Sequence, residues 1–390
     1  MLKFESFTGI NNVSPSHRLK NSELTVAANI DIGLRGELKR RSGYTQVLGT
    51  CHKNLWQADG FMLATVDGND LVAIAPNGDR TTVQAALGPA RVWYCNLPDG
   101  ATAFSNGSIN GLTAGAAATA WGVADPASSG ALTEVAGSLY PGTYMYSLTH
   151  VRLSDGRESA PLVSIPYNLT TGGITLTGLP TRAGHKTNVY LTSHNGDQAL
   201  LAGSTTNSVF AFTAAHDTLV LPCRTDNLMP APVGTVLAFW RGRALVAVGP
   251  TLYASLPGQW EMFDPRRDFK QFSADITAVQ PTDEGMFIGT EKELAYLDGS
   301  EFDKLVYSRV VSGPVVLGSG VAVRGELIKQ GDGMGDGEAM ICIADHGIVA
   351  GFSSGKVERL TEGVYSTSVT EVFATFRKVN DVPQYIAIPQ

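Results

Sequence analysis

The chain has 390 residues, enough for two or three domains, and its 43% hydrophobic content can fill a large core. Glycine (43 residues) and proline (19 residues) favour many tight turns and exclude a long-helix or coiled-coil protein. The net charge is −7 without a long basic tract, which argues against a protein that binds tightly to the outside of duplex DNA.

The N-terminal segment differs in charge from the rest of the chain. Residues 1–45 hold seven Lys/Arg and four Asp/Glu, a net +3, so the remaining residues carry −10. Lys39, Arg40 and Arg41 are consecutive and allow two interpretations, a solvated strand end or a contact with an acidic neighbouring ring of subunits. One or two helical turns are also expected near residues 22–28, with Ser22 as the cap.

Short strands follow one another from about residue 50 onwards. Residues 61–66, 71–74, 244–248 and 286–289 are apolar runs rich in β-branched or aromatic residues, and Asp-Gly or Asn-Gly turns separate many such runs. No long amphipathic helix is predicted. The chain is therefore expected to be all-β.

The strands recur with a period. Units start near residues 52, 91, 235, 276, 315 and 366, a spacing of about 40 residues with one long interruption, and a four-stranded propeller blade has that length. The spacing predicts a β-propeller of about six blades over residues 1–126 and 222–390. The N-terminal strand is expected to close the ring against residues 369–388.

The interruption has a pattern of its own. Residues 127–221 hold short strands separated by turns every 8–12 residues, which is typical of a β-sandwich. The segment has no Cys…Trp…Cys pattern, so a fibronectin-type-III or Ig-like module is expected as an insertion in the propeller.

Tests for catalytic or metal-binding motifs give little. The seven histidines are scattered, no Walker loop or Gly-x-Ser-x-Gly elbow occurs, and Cys51, Cys95, Cys223 and Cys342 are expected to be four buried thiols. Residues 331–338 are rich in glycine and acids and allow two interpretations, a flexible hairpin or a loop that binds a divalent ion through Asp332, Asp336 and Glu338. No catalytic residue and no cofactor is predicted.

Aromatic residues interleave with arginines between residues 240 and 272. Such a stretch either stacks on single-stranded bases or forms core between blades. No apolar run approaches the roughly 20 residues that span a bilayer, and the N-terminus lacks the apolar core of a secretory signal. Synthesis in the cytoplasm without membrane insertion is expected.

Several motifs together resemble one family. Residues 22–44 contain Asn-Ile-Asp and Arg-Arg-x-Gly-Tyr, residues 242–272 contain Tyr-x-Ser-x-Pro followed by Phe-Asp-Pro, and residues 144–159 read Tyr-x-Tyr-x-Leu-Thr-x-Val-x-x-Ser-Asp-Gly-Arg-Glu-Ser. Residues 285–297 and 345–363 fit later blades of the same pattern. The chain thereby resembles the tail nozzle or packaged-DNA-stabilisation propellers of tailed bacteriophages.

The resemblance implies a structural virion protein and not an enzyme. It implies a homohexameric ring below the head–tail connector that forms the DNA exit channel, retains packaged DNA and supports its ejection. The implied partners are other copies of the chain, other tail or adaptor proteins, tail fibres and, transiently, duplex DNA. Two other functions stay open, a receptor- or glycan-binding protein at the distal tail tip and a polysaccharide depolymerase.

Overall fold

The fold is built from short antiparallel strands. The computed structural model describes residues 7–33, 36–41, 43, 45–46, 49–328, 337–379 and 382–390, and in this part of the chain all helices are single 3-10 turns. No helix there is long and apolar enough to cross a bilayer. The predicted all-β class is therefore confirmed.

Residues 7–46, the N-terminal arm, contain a 3-10 turn at Ser16–Arg18 and two small strand pairs. The strands are β1 (Gly9–Ile10), β2 (Glu23–Leu24), β3 (Ile30–Ile32) and β4 (Leu38–Arg40). β1 pairs with β2 and β3 pairs with β4. The helical turns expected near residues 22–28 are wrong, because Glu23 and Leu24 instead pair with Gly9 and Ile10.

Five antiparallel sheets of three or more strands form a propeller-like arrangement in the described chain, each sheet from consecutive strands. Sheet I contains β5 (His52–Gln57), β6 (Met62–Val66), β7 (Asp70–Ile74) and β8 (Arg80–Gln84). Sheet II contains β9 (Trp93–Asn96), β10 (Thr102–Ser105) and β11 (Asn110–Thr113).

The next strands form a sandwich that interrupts this series. They are β12 (Ala131–Val135), β13 (Gly142–Tyr144), β14 (Tyr146–Arg152), β15 (Leu162–Val163), β16 (Tyr167–Leu169), β17 (Gly173–Thr177), β18 (His185–Thr192), β19 (Ala199–Thr205) and β20 (Val209–Phe212), followed by a 3-10 turn at His216–Thr218. One sheet has the order β12-β17-β20 and the other β15-β14-β18-β19, while β13 pairs with β16. Both sheets contribute to one hydrophobic core drawn from residues 132–219.

The series resumes after the sandwich. Sheet III contains β21 (Met229–Pro230), β22 (Thr235–Trp240), β23 (Arg243–Val248), β24 (Thr251–Leu256), β25 (Gln259–Phe263) and β26 (Phe269–Gln271). Sheet IV contains β27 (Ile276–Pro281), β28 (Gly285–Thr290), β29 (Glu293–Asp298) and, after a 3-10 turn at Phe302–Lys304, β30 (Val306–Ser312).

Sheet V and a final hairpin complete the fold. Sheet V contains β31 (Val321–Arg324), a 3-10 turn at Gly325–Leu327, β32 (Glu338–Ala344), β33 (Gly347–Gly351) and β34 (Val357–Arg359). The C-terminal hairpin consists of β35 (Val372–Val379) and β36 (Val382–Pro389). The domain boundaries at residues 126/127 and 221/222 stay a prediction.

Each sheet packs on the next through apolar side chains. Phe104 lies between sheets I and II, Phe263 between II and III, Leu245 and Ile288 between III and IV, and Phe287 between IV and V, all with 0% exposure. Burial of such apolar side chains is the dominant favourable contribution to folding. The C-terminal hairpin covers the remaining face of sheet V with residues such as Phe376 and Tyr385.

The N-terminal arm does not close the ring as expected. In the described residues it adds no strand to the C-terminal hairpin, whose two strands pair with each other. It meets the chain just before the hairpin, where the Asn12 amide donates to the carbonyl of Ser366 at 2.8 Å and the Ser366 N–H donates to the Asn12 side chain at 2.9 Å.

The expectation of four buried thiols is wrong for one of them. Cys95, Cys223 and Cys342 are buried, whereas Cys51 is exposed. Cys51 lies just before β5, at the junction with the N-terminal arm, where no second sheet covers it. Burial raises the pKa of Cys95 and of Cys342 to about 12, so both thiols are protonated at neutral pH.

Candidate functional site

One cavity, here called the axial cavity, is lined by β5, β9, β22 and β27, by residues just before β31 and by the C-terminal hairpin. Its volume is about 210 Å³. Contributions come from all five sheets or the residues just before them and from the C-terminal hairpin: Asn54, Trp56, Arg91, Trp93, Val236, Thr277, Gln280, Gly318, Gly320 and Phe373 are among the lining residues. Such convergence of one strand from each sheet is expected of a propeller-like arrangement.

Backbone irregularities recur where three of these strands meet the cavity. The register shifts between Lys53 and Trp56 in β5, between Thr235 and Leu237 in β22, and between Ile276 and Ala278 in β27. β-Bulges of this kind turn a side chain away from the regular alternation and are frequent beside binding sites.

The residues within these bulges line the axial cavity. They are Asn54, Leu55, Val236 and Thr277. Asn54 has φ +51° and Val236 has φ +50°. A positive φ is rare for a β-branched residue and costs energy, which the surrounding packing must offset.

Arg91 links the first strand of sheet II to the C-terminal hairpin. Its Nη1 donates to Glu371 Oε1 at 3.2 Å and to the Val372 carbonyl at 2.8 Å. Its guanidinium lies 4.4 Å from the centroid of Trp93 and 4.2 Å from that of Phe373. Burial lowers the pKa of Arg91 and Glu371 acts in the opposite direction, so the side chain stays charged at neutral pH.

Thr277 connects the axial cavity to a second one. The residue is only 7% exposed, and its Oγ1 has no hydrogen-bond partner in the described chain. It also lines an adjoining cavity of about 510 Å³, which Asp275, Glu291 and Glu371 make acidic.

A separate ionic cluster holds the sandwich against sheet III. Glu261, whose side chain is 6% exposed, accepts hydrogen bonds from Arg152 at 3.2 Å and from Arg157. Arg152 also pairs with Asp155 at 2.7 Å. The two arginines lie at the end of β14 and in the turn after it, so this turn sets how the sandwich sits on sheet III.

The structure leaves the predicted contact residues at the surface. Lys39, with a side chain 72% exposed, lies 3.8 Å from Glu37, and Arg41 Nε lies 3.3 Å from Asp31 Oδ1. Arg40 is exposed at the end of β4. These ion pairs are local, so the role of the basic residues in a contact stays a prediction.

The predicted ion-binding loop is described only in part. Asp332 and Asp336 lie outside the described residues. Glu338 begins β32, and its N–H donates to Asp283 Oδ2 at 3.0 Å. Within the part of the chain that the structure describes, no group of three or more His, Cys, Asp and Glu side chains is placed to hold a metal ion.

The aromatic stretch between residues 240 and 272 serves mainly as core. Trp240 and Phe263 are 3% and 0% exposed and pack between sheets. This burial confirms the core interpretation for these two rings.

Sequence reasoning missed the residues that converge on the axis. Arg91 offered one signal, because it is the only charged residue between Arg80 and Asp99. Thr277 and Asn54 offered no signal, because no characteristic residue pattern marks a β-bulge in the sequence. Glu261 could not be matched to arginines about 105 residues earlier in the chain.

No family model matches this chain, and no curated protein matches it. Among solved structures it is similar to the Dos1 propeller (11% identity, TM-score 0.37, covering 92% of this chain and 78% of the other). It is also similar to the Neurospora crassa Pan2 WD40 domain (9%, 0.35, 87% and 86%) and to BamB from Moraxella catarrhalis (9%, 0.33, 84% and 82%). With TM-scores below 0.5, none of them bears on what this chain binds or does.

Proposed function

We propose that the chain is a structural subunit of a tailed-phage virion, of the nozzle type, which assembles with copies of itself into a ring around the DNA exit path. The proposal starts from the family resemblance of the sequence. The observation that carries it further is the N-terminal arm, whose described side chains are mostly half-buried or exposed.

The arm is too long to be stabilised by its own contacts. Apart from Ile32, the described residues of the arm other than Phe7 and Asn11 are half-buried or exposed, and its strand pairs are two or three residues long. Ordering the backbone costs about 1–2 kcal/mol per residue, and isolated two-stranded pairs of this size are marginal in water. A neighbouring subunit that covers the arm supplies the missing burial, which is the expected arrangement in a ring.

Charge supports the same arrangement. The N-terminal 45 residues carry +3 and the remainder −10, so the arm of one copy and the body of the next attract each other. Lys39 and Arg40 are exposed on β4, where a neighbour can reach them.

The axial cavity of a single copy is too small to pass DNA. Its volume of about 210 Å³ is of the size of a small-molecule pocket and not of a channel for a duplex. A DNA channel built from this protein therefore lies between copies, at the centre of their ring. The net negative charge supports such a channel because it limits adhesion of phosphates to the wall.

The finer fold assignment belongs to the same proposal. The order β15-β14-β18-β19 in one sheet and the pairing of β12 with β17 in the other support an Ig- or fibronectin-type-III-like module. The C-terminal hairpin, which follows sheet V in the chain and packs on it, is proposed to be a sixth, two-stranded blade.

Imaging of the purified phage particle with this protein labelled tests the function. Label in a ring below the connector is the expected result. Label at the distal tail tip overturns the nozzle assignment and favours receptor binding instead. Turnover of host polysaccharide by the purified chain overturns the structural assignment in favour of a depolymerase.

Charge reversal tests the contact made by the arm. In the purified chain, K39E, R40E and R41E combined are expected to reduce ring formation at low salt, measured by mass photometry. The matched control reverses Arg80, Arg182 and Lys356, which are exposed on the body of the protein. Unchanged assembly of the arm variant at low salt refutes an electrostatic role for the arm, as does wild-type assembly that is insensitive to about 1 M salt.

A further inference from the structure

Three hydrogen bonds join the N-terminal arm to residues 364–366, here called the docking segment, which precede the C-terminal hairpin. The N–H of Asn12 donates to the Val364 carbonyl at 3.0 Å. The side-chain amide of Asn12 donates to the Ser366 carbonyl at 2.8 Å and accepts from the Ser366 N–H at 2.9 Å. An asparagine amide holds both a donor and an acceptor, so it pairs with the backbone of Ser366 as a neighbouring strand would.

This contact defines where an arm docks but does not by itself hold the arm in place. In the described chain, no residue of the arm belongs to any of the hydrophobic clusters that pack the sheets and the sandwich. Neutral hydrogen bonds each add little net stability, whereas ordering the backbone of a whole arm is costly. The remaining stabilisation has to come from a surface that one copy does not supply.

The connection from the arm to the body is not packed at its glycines. Gly43 and Gly49 are exposed, and a methyl group built on either would meet no atom within 4 Å. Cys51, the residue before β5, is exposed as well. An element joined through such a connection makes the same hydrogen bonds on its own body or on that of a neighbouring copy, so exchange between copies has a low energetic cost.

The two sides of the contact are different surfaces of one protein. When such a contact forms between copies it is head-to-tail, and repeated head-to-tail contacts close into a ring if the rotation between copies permits. The charges of the two surfaces are complementary. Exposed Arg18 and Lys20 follow Asn12 in the arm, whereas residues 368–371, just after the docking segment, line a cavity together with Asp275 and Glu291 and without any Lys or Arg.

We propose that the docking segment of one copy binds the N-terminal arm of the next copy, through the hydrogen bonds of Asn12. The partner is thus a second copy of this chain, and the arms follow one another around the ring in one direction. The proposal rests on the ring of copies proposed above and adds to it the surface that links the copies.

Cross-linking between two different variants tests the exchange. Val13 is 51% exposed, Ser366 is exposed, and neither side chain takes part in the three hydrogen bonds. In a Cys51→Ser background, copies with Val13→Cys are co-expressed with copies with Ser366→Cys and treated with bismaleimidoethane. Because no chain holds both new cysteines, a covalent dimer on a denaturing gel is expected only if the arm docks on another copy.

The matched control replaces the arm cysteine with one on the sandwich. Val220 is 73% exposed, and Val220→Cys copies co-expressed with Ser366→Cys copies are expected to give no dimer above the background of either variant alone. Equal dimer yields in the two mixtures overturn the proposal, because random encounters would then explain the cross-link.

A single chain with both Val13→Cys and Ser366→Cys separates the exchange from the ring itself. Mass photometry first records whether this variant assembles, and covalent multimers are then expected after cross-linking. An assembled ring whose chains are linked only within themselves overturns the exchange and leaves the ring intact. A chain that stays monomeric overturns the exchange together with the ring.

Asn12→Ala tests the hydrogen bonds directly. Loss of the two bonds made by the amide is expected to raise the concentration of half-assembly roughly tenfold, while the unfolding midpoint of the dissociated chain stays unchanged. Asn207→Ala, at an exposed position of the sandwich, is the control and is expected to assemble as the wild type does. Wild-type assembly of Asn12→Ala, or a lower unfolding midpoint of the dissociated chain without a change in assembly, overturns the proposal.

Discussion

Replacing Glu261 with glutamine is expected to loosen the sandwich from sheet III. The carboxylate is 6% exposed and accepts from Arg152 and Arg157, whose side chains are 22% and 42% exposed. Glu261→Gln keeps the size of the side chain but leaves two guanidinium groups facing a neutral amide. Asp155 remains as the nearest carboxylate for Arg152.

The size of the effect follows from these exposures. Breaking a fully buried pair costs 3–5 kcal/mol, and each charge-assisted hydrogen bond contributes about 1.5–3 kcal/mol. Arg157 is nearly half exposed and regains water, which lowers the expected loss to about 2–3 kcal/mol. With a urea m-value of about 2–3 kcal/mol/M, the unfolding midpoint falls by about 1 M.

Urea unfolding followed by tryptophan fluorescence measures this loss at the junction. All five tryptophans lie outside residues 127–221, and Trp121 Nε1 donates to the Trp260 carbonyl, one residue before Glu261, at 3.0 Å. Glu362→Gln, at an exposed position, is the control with the same charge change and is expected to stay within 0.5 kcal/mol of wild type. If Glu261→Gln changes stability no more than this control, the carboxylate does not hold the junction.

Three further predictions concern other parts of the chain. Cys51 is expected to react rapidly with a thiol reagent in the native state and Cys342 only on unfolding, since the latter is buried and its pKa is raised to about 12; equal rates contradict the packing of sheet V. Gly351→Ala places a methyl group 2.5 Å from the Phe287 ring and is expected to lower the free energy of unfolding, measured in urea, by about 1–3 kcal/mol. If the variant is as stable as the wild type, the packing of sheet IV on sheet V is contradicted. Hydrogen bonds from neighbouring threonine side chains and N–H groups lower the pKa of Glu134 to about 2, so its contribution to stability is full above about pH 4.5 and is lost as the pH falls towards 2. Glu134→Gln is therefore expected to reduce the dependence of the urea unfolding midpoint on pH between about pH 4.5 and 2. A pH dependence equal to that of the wild type contradicts this prediction.

Much of the strand pattern could be predicted because local chemistry encodes it. Repeat starts predicted at residues 52, 91, 235 and 276 lie within two residues of strands that begin at His52, Trp93, Thr235 and Ile276. Turns such as Asp67-Gly68, with φ values of +51° and +69°, are visible in the sequence because few residue pairs adopt that backbone. The later starts, predicted at 315 and 366, precede the observed strands by six residues; before sheet V the apolar segment Val315-Val316-Leu317 is extended but lies ahead of β31.

The candidate site could not be predicted because it depends on contacts between distant parts of the chain. Arg91 contacts Glu371, which lies 280 residues later in the chain, and no sequence motif at either position indicates that the two are in contact. Bulges at Asn54, Val236 and Thr277 depend on how the strands enter the axis, which hydrophobic alternation does not record. Local propensity therefore predicts the individual sheets, whereas the cavity between them depends on how the sheets pack together.

The contact between Arg91 and the C-terminal hairpin has a consequence for biosynthesis. On the ribosome, sheet II emerges long before residues 372–389, whereas the strands of the sandwich emerge as one continuous stretch. We expect the sandwich to fold on the nascent chain while Arg91 still lacks its carboxylate and one of its two aromatic neighbours. Release of the hairpin from the exit tunnel is then the event that completes the axis, and proteolytic trimming of these residues is expected to reopen it.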